Sequence, residues 1–113
     1  MTTPHTWLAL DDVAHWLKLD TDRDENRRDA ELCRQAAAAY IEAQRPDLTA
    51  DDLGKSAAIR QAALLSAARL YARRSSPTGL ASFGEFGAEQ ILRGDPDVAR
   101  LLGVGRYAAP VVG

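Results

Sequence analysis

The longest uninterrupted block of apolar positions is residues 59–76, IRQAALLSAARLYARRSS, which ends at Pro77, Thr78 and Gly79. Ala, Leu, Arg and Gln are strong helix formers, and no Gly or Pro breaks the run, so the pattern predicts a long central helix. Ile59, Ala63, Ser66, Ala67, Leu70 and Tyr71 recur at the three-and-four spacing of one helical face, and Leu64, Leu65 and Ala68 widen it. A helix this apolar must be covered on more than one side. Upstream, Asp11 reads as the N-cap of a short first helix, with Asp12 beside the positive end of its dipole and Val13, Trp16 and Leu17 on one face. A second helix is expected over residues 26–45, stopped by Pro46, with Leu32, Cys33, Ala36, Ala37, Tyr40 and Ile41 inward. Arg27, Arg28, Glu31, Arg34 and Glu42 are expected to stay in water. Thr49 and Asp52 resemble a capping box, so the next helix can start at Ala50 despite Gly54. Asp95-Pro96 supplies an N-cap and a proline at the first helical position, Val98, Leu101 and Leu102 follow, and Gly103 closes a short final helix.

The remaining stretches lack this periodicity. Residues 1–6 read as a frayed arm that includes His5, and residues 7–10 are either extended or lead into the first helix. Residues 75–87, SSPTGLASFGEFG, carry Gly79, Gly84 and Gly87 with Phe83 and Phe86, which suits a long ordered loop whose phenylalanines plug pockets in this core or on a partner. Residues 88–93 can be extended, and residues 104–113, VGRYAAPVVG, are apolar without pattern, hence a tail that is disordered or docked. The expected fold is therefore all-α: three to four helices bundled around the central one, with an extended Gly/Phe loop and a C-terminal arm. The expected division is a helical domain over 1–103, its loop at 75–94 included, and a tail over 104–113.

Composition narrows the function classes. At 113 residues the chain is one small domain with a feasible core but no roomy active site. Its 14 basic and 16 acidic residues leave a formal charge of -2, no general electrostatic reason to bind nucleic acid or a membrane surface. That balance hides an asymmetry. Residues 1–54 hold 6 basic and 12 acidic side chains, net -6, whereas residues 55–113 hold 8 and 4, net +4. Opposite halves of neighbouring copies can meet head to tail, or both charge sets can be solvated faces of one compact fold. No apolar run approaches the length of a membrane span, and MTTPHTWLAL lacks the basic start and apolar core of a signal peptide. The reading is of a protein made in a reducing cytoplasm, or of a part of something assembled there.

Candidate chemistry is sparse. Asp20, Asp22 and Asp24 have the alternate spacing of a calcium loop and Glu31 falls at its twelfth position, but Glu25 stands where that loop needs glycine and Asn26 onward reads as helix. A solvated acidic loop before the second helix explains the same residues. The glycines at 79, 84 and 87 match neither GxxxxGK[ST] nor GxGxxG and follow a helix rather than a strand. His15 lacks a neighbour at metal-ligand spacing, the lone Cys33 reads as a small buried hydrophobe, and neither a nucleophile–histidine pair nor a zinc pattern is present. The expectation is no enzyme, no cofactor and no metal. Arg69, Arg73 and Arg74 either complement the negative end of the central helix or reach a partner.

The run from Ile59 to Gly87 followed by GDPDVARLLGVGRY resembles the head-tail connector (adaptor, or head-completion) proteins of long-tailed bacteriophages, especially phages of actinobacteria. The shared parts are the basic pair Arg73-Arg74, the turn Ser76-Pro77-Thr78-Gly79, the loop Gly84-Glu85-Phe86-Gly87, and the helix from Asp95-Pro96-Asp97-Val98 to Leu101-Leu102. The opening LALDDVAHWLKLD is also similar to that family's first helix and acidic loop, whereas the second helix and residues 46–56 match only in type. The resemblance implies a structural protein of the virion neck that binds the portal after DNA packaging, forms a roughly twelve-fold ring of copies and presents a surface to the next head-completion or tail protein. It implies that Phe83, Gly84, Glu85, Phe86 and Gly87 lie in a portal- or neighbour-contacting loop. Arg73 and Arg74 would face an acidic neighbour or channel DNA, and the C-terminal segment, with Arg106 and Tyr107, would grip the portal. The alternative is a small helical DNA-binding protein of the terminase small-subunit or regulator type, which predicts a compact basic face.

Overall fold

A computed structural model of the chain describes residues 5–73 and 92–104. Among them the secondary structure is all-α: α1 (Leu10–Leu17), α2 (Asp24–Gln44), α3 (Ala50–Lys55), α4 (Ala57–Ala72) and α5 (Pro96–Leu102). The expected extended Gly/Phe loop and C-terminal arm lie outside the described residues, apart from the loop's final turn and Val104.

Helix α4 is the hub, and every other described helix packs against it. Ile59, Ala62, Ala63, Ser66, Ala67 and Leu70 are buried on it, so the core face is the predicted one with Ala62 added and Tyr71 only half-buried at its edge. The matching stripe of α2 is Ala30, Cys33, Ala37, Ala38 and Ile41. Alanine on both sides lets two backbones approach closely, so this contact is filled largely by methyl groups and main chain. Larger side chains close its ends: Leu53 from α3, Val13 from α1, Leu92, and Val98 with Leu102 from α5. The Ser66 hydroxyl is buried in this surface with no hydrogen-bond partner, a local cost of about 1–3 kcal/mol.

Several boundaries depart from expectation. Helix α1 begins at Leu10 rather than after Asp11, because Val13 N already donates to Ala9 O (3.3 Å); Asp11 and Asp12 are first-turn charges, and Ala9 caps without a side chain. Its inner face is Val13 and Ala14 with Leu17 half-buried, while Trp16 is 41% exposed. Helix α2 starts two residues early and ends one early. Leu32, expected inward, is 42% exposed because the stripe facing α4 passes through Cys33 and Ala30 instead. The Thr49–Asp52 capping box forms, with Asp52 N donating to Thr49 Oγ1 (3.1 Å) and Thr49 N to Asp52 Oδ2 (3.3 Å). The helix it opens lasts only to Lys55. Ser56 is extended, and its hydroxyl accepts from Ile59 N (3.2 Å) to start α4 as a separate helix. That break brings the helices among the described residues to five, where three to four are expected. Helix α4 ends at Ala72 with Arg73 as its cap, short of the end expected over residues 74–76.

The last helix is built as its sequence predicts. Asp95 Oδ1 accepts from the amides of Asp97 (3.0 Å) and Val98 (3.2 Å), Pro96 occupies the first turn, and Gly103 closes the helix at φ 68, the left-handed conformation glycine adopts without steric penalty. Leu92 and Arg93 form the turn that leads into it rather than extended chain, with Asp95 N donating to Leu92 O (3.0 Å). No helix among the described residues is long and apolar enough to cross a membrane.

Candidate functional site

Two polar junctions and two surface pockets form on this frame. The first junction joins α4 to α5. Arg69 Nε donates to Asp95 Oδ2 (3.0 Å), and its Nη2 lies 3.7 Å from Asp97 Oδ2. Asp95 therefore caps α5 with one oxygen and holds α4 with the other. Its side chain is nearly buried, whereas that of Arg69 is half exposed. Arg69 thus serves the fold itself rather than projecting free from the last turn of α4. One turn later Arg73 is exposed, and its side chain has no partner among the described residues. The chain leaves the described fold at Arg73 and re-enters at buried Leu92, and the Arg69–Asp95 pair ties the two helices together between those points. The predicted contact residues Arg74, Phe83, Gly84, Glu85, Phe86 and Gly87 fall in the intervening stretch, and Arg106 and Tyr107 follow Val104; all eight lie outside the described residues.

The second junction was not legible as such. Arg34, expected in water, is 3% exposed. Its Nη1 donates to the carbonyls of His5 (2.9 Å) and Leu8 (3.0 Å), and its Nε and Nη2 form a bidentate pair with Glu31 at 2.8 and 2.6 Å. The hydrogen bond from Arg34 holds the Glu31 carboxyl below the usual carboxylate range against the upward push of burial, with Gln35 Nε2 (2.9 Å) adding to the lowering. Glu42, one face further along α2, takes two hydrogen bonds on Oε2: from Trp7 Nε1 (2.7 Å) and with His5 Nδ1 (2.7 Å). Residues 5–8 are therefore bolted to α2, so the expected frayed arm over 1–6 fails at residues 5 and 6, and residues 1–4 lie outside the described residues. Gly54 lies beside this seat, where a Cβ would stand in ordinary van der Waals contact with Trp7 Cβ at 3.4 Å. One sequence signal pointed here. Arg34 lies on the same helical stripe as Ala30, Ala37, Ala38 and Ile41, where a charge is tolerated only with full pairing.

The larger pocket, about 700 Å³, is an open groove between this arm and the first half of α2, with Leu8 and Leu10 on one wall and Arg27 and Arg28 on the other. The smaller, about 360 Å³, lies between α1 and α4, walled by Trp7, Trp16 and Leu64 with Asp12, His15 and Arg60 around it. Among the described residues no group of three His, Cys, Asp or Glu side chains is placed to hold a metal ion. The acidic stretch after α1 closes on itself: Asp22 N donates to Asp20 Oδ1 (3.0 Å), Asn26 Nδ2 to Asp20 O (3.2 Å), and α2 has begun by Asp24. Cys33 is buried with its thiol unbridged. The resolved pKa displacements fall on the pairs Glu31–Arg34 and Arg45–Asp47, in the direction that keeps every partner charged. What these groups do chemically is hold segments in register. No family model, curated protein or solved structure matches this chain.

Proposed function

We propose that this chain is a structural virion protein, a head-tail connector that binds the portal after DNA packaging, assembles into a ring of copies and joins head to tail. The observation that carries the reading is the ordered set of motifs running from the end of α4 into α5: Arg73-Arg74, Ser76-Pro77-Thr78-Gly79, Gly84-Glu85-Phe86-Gly87 and Asp95-Pro96-Asp97-Val98. The all-α frame is compatible with it. The stretch holding Phe83 and Phe86 is rooted in a junction braced by Arg69 and Asp95, which suits a contact element carried on a rigid base. On this reading Arg73, Arg74, Arg106 and Tyr107 join Phe83 to Gly87 at the portal or at a neighbouring copy, and the opposite charges of the chain's two halves favour head-to-tail contacts.

The test is co-sedimentation of the full chain with the portal ring from the same genome, followed by imaging of the complex. A ring of this protein stacked on the portal is the expected result; free portal beside free protein overturns the reading. Phe86→Ala is expected to keep the far-ultraviolet helical signal and lose portal binding. Unfolding of that variant in isolation would make Phe86 a core residue instead. Duplex binding that falls steeply with salt is the outcome expected of the DNA-binding alternative.

A further inference from the structure

The pocket between α1 and α4 brings together an apolar wall, an exposed tryptophan and two opposite charges. Trp16, a large aromatic, is 41% exposed at its edge, and the half-buried Trp7 and Leu64 supply an apolar wall. Asp12 on α1 and Arg60 on α4 both line it. Both are exposed, and neither has a side-chain ion pair or hydrogen bond among the described residues. Asp51 with Lys55, Asp47 with Arg45, Glu31 with Arg34 and Asp95 with Arg69 meet within the fold, whereas Asp12 and Arg60, like Arg27 and Arg28, find no such partner among the described residues. An acid and a base on opposite walls of one apolar pocket, unmatched in their own chain, make a surface complementary to itself.

We infer that this face is the contact of an isologous dimer, in which a second copy of the chain is the occupant. A two-fold axis through the pocket lays the acidic wall of one copy over the basic wall of the other, so Asp12 pairs with Arg60 twice, once in each direction. Each Trp16 indole then enters the pocket of the opposite copy. Each indole, 41% exposed in its own chain, has on the order of 100 Å² left to bury in such a contact, and Trp and Arg are residue types that dominate interface energetics. Burial of the two indoles supplies affinity, and the two charge pairs set orientation. A head-to-tail contact has no need for acid and base on the same patch, whereas a two-fold contact requires it. The inference stands independently of the connector reading.

Sedimentation equilibrium of the full chain, from about 1 μM to about 1 mM, tests it. The mass is expected to rise from 12.2 kDa toward twice that value and to stop there. Trp16→Ala, Asp12→Arg and Arg60→Asp are each expected to weaken association at least about tenfold, with helical content retained by circular dichroism. The variant carrying both Asp12→Arg and Arg60→Asp is expected to recover to within about threefold of the parent, because reversing both charges restores both pairs. That recovery separates a contact from mere damage to the fold. A monomer across the whole range overturns the inference. So does association indifferent to all three single variants, or a double variant no tighter than the singles.

Discussion

Arginine tethers a flanking segment to the helical frame at several places, Arg45 Nη1 donating to Leu102 O among them (2.7 Å), and the tethers at Arg34 and Arg69 differ in almost every physical respect. Arg34 is buried, its guanidinium donates to the Glu31 carboxylate and to two backbone carbonyls among the described residues, and it fixes the chain's first described residues against α2. Arg69 is half exposed, meets two carboxylates, and fastens α5 to α4. At the exposed tether water competes for every contact, so the ion pair itself is worth at most about 1 kcal/mol, and the helix-capping oxygen of Asp95 carries more of the load. At the buried tether the guanidinium is out of water although the Glu31 side chain is not. The Leu8 carbonyl therefore depends on Arg34, and Arg34 depends on Glu31. The lesson is that a charged side chain's importance follows its burial and the number of backbone groups it satisfies, not its place in the charge pattern.

The sharpest way to break this comparison is Arg34→Leu. Removing the guanidinium takes the charged partner from Glu31, which keeps only Gln35 among the described residues, and takes a donor from each of the His5 and Leu8 carbonyls, of which His5 O keeps Leu8 N. About 1–3 kcal/mol of stability is expected to go. For a domain whose whole stability is about 5–15 kcal/mol, a urea titration reads that loss easily. A shift worth under about 1 kcal/mol would mean that water replaces the guanidinium and that the junction is ordinary surface.

Acid probes the same junction without a mutation. Arg34 depresses the folded-state pKa of Glu31, so the stability from this pair is fully present above the unfolded value, about 4.3, and is lost as pH falls through the lower folded value. The parent is expected to lose stability between about pH 5 and the folded pKa more steeply than Glu31→Gln, which has no carboxylate to titrate. Parallel curves for the two proteins would remove Glu31 from the account.

The exposed tether gives smaller numbers. Asp95→Ala removes both the cap of α5 and the partner of Arg69, for an expected loss of about 1 kcal/mol, up to about 2. Arg69→Ala removes only the ion pair and is expected to cost under about 1 kcal/mol, less again in high salt. If Arg69→Ala proved as damaging as Asp95→Ala, the pair rather than the cap would be what holds α5, and the ranking of the two tethers would have to be redrawn.

Much of this architecture was legible in local sequence. The stop at Pro46, the Thr49–Asp52 box, the Asp95-Pro96 start and the Gly103 close depend on residues within one turn of each other, and all four occur as read. The central face of α4 was equally plain, because one helix with so many apolar positions leaves few alternatives for which side is covered. Residues 5–8 misled because nothing nearby in the chain holds them. Their partners, Arg34 and Glu42, lie 26 to 37 residues away, on a helix whose charged positions read individually as solvated. The contact residues suggested by the loop and tail motifs were legible only as motifs, and of these the described residues include Arg73 alone.

By itself the sequence determined which segments are helical and where α2 and α5 stop, since backbone propensity, proline, glycine and capping side chains act over a single turn. Tertiary structure decided which of the many arginines are structural, that Trp16 stays exposed while Trp7 is held by Glu42, and that Asp12 and Arg60 face one pocket without meeting. Those outcomes depend on which stripe of α2 turns toward α4 and on what the chain ends find there. Burial turns a surface charge into an obligatory partner, and burial is a property of the assembled helices rather than of any one of them.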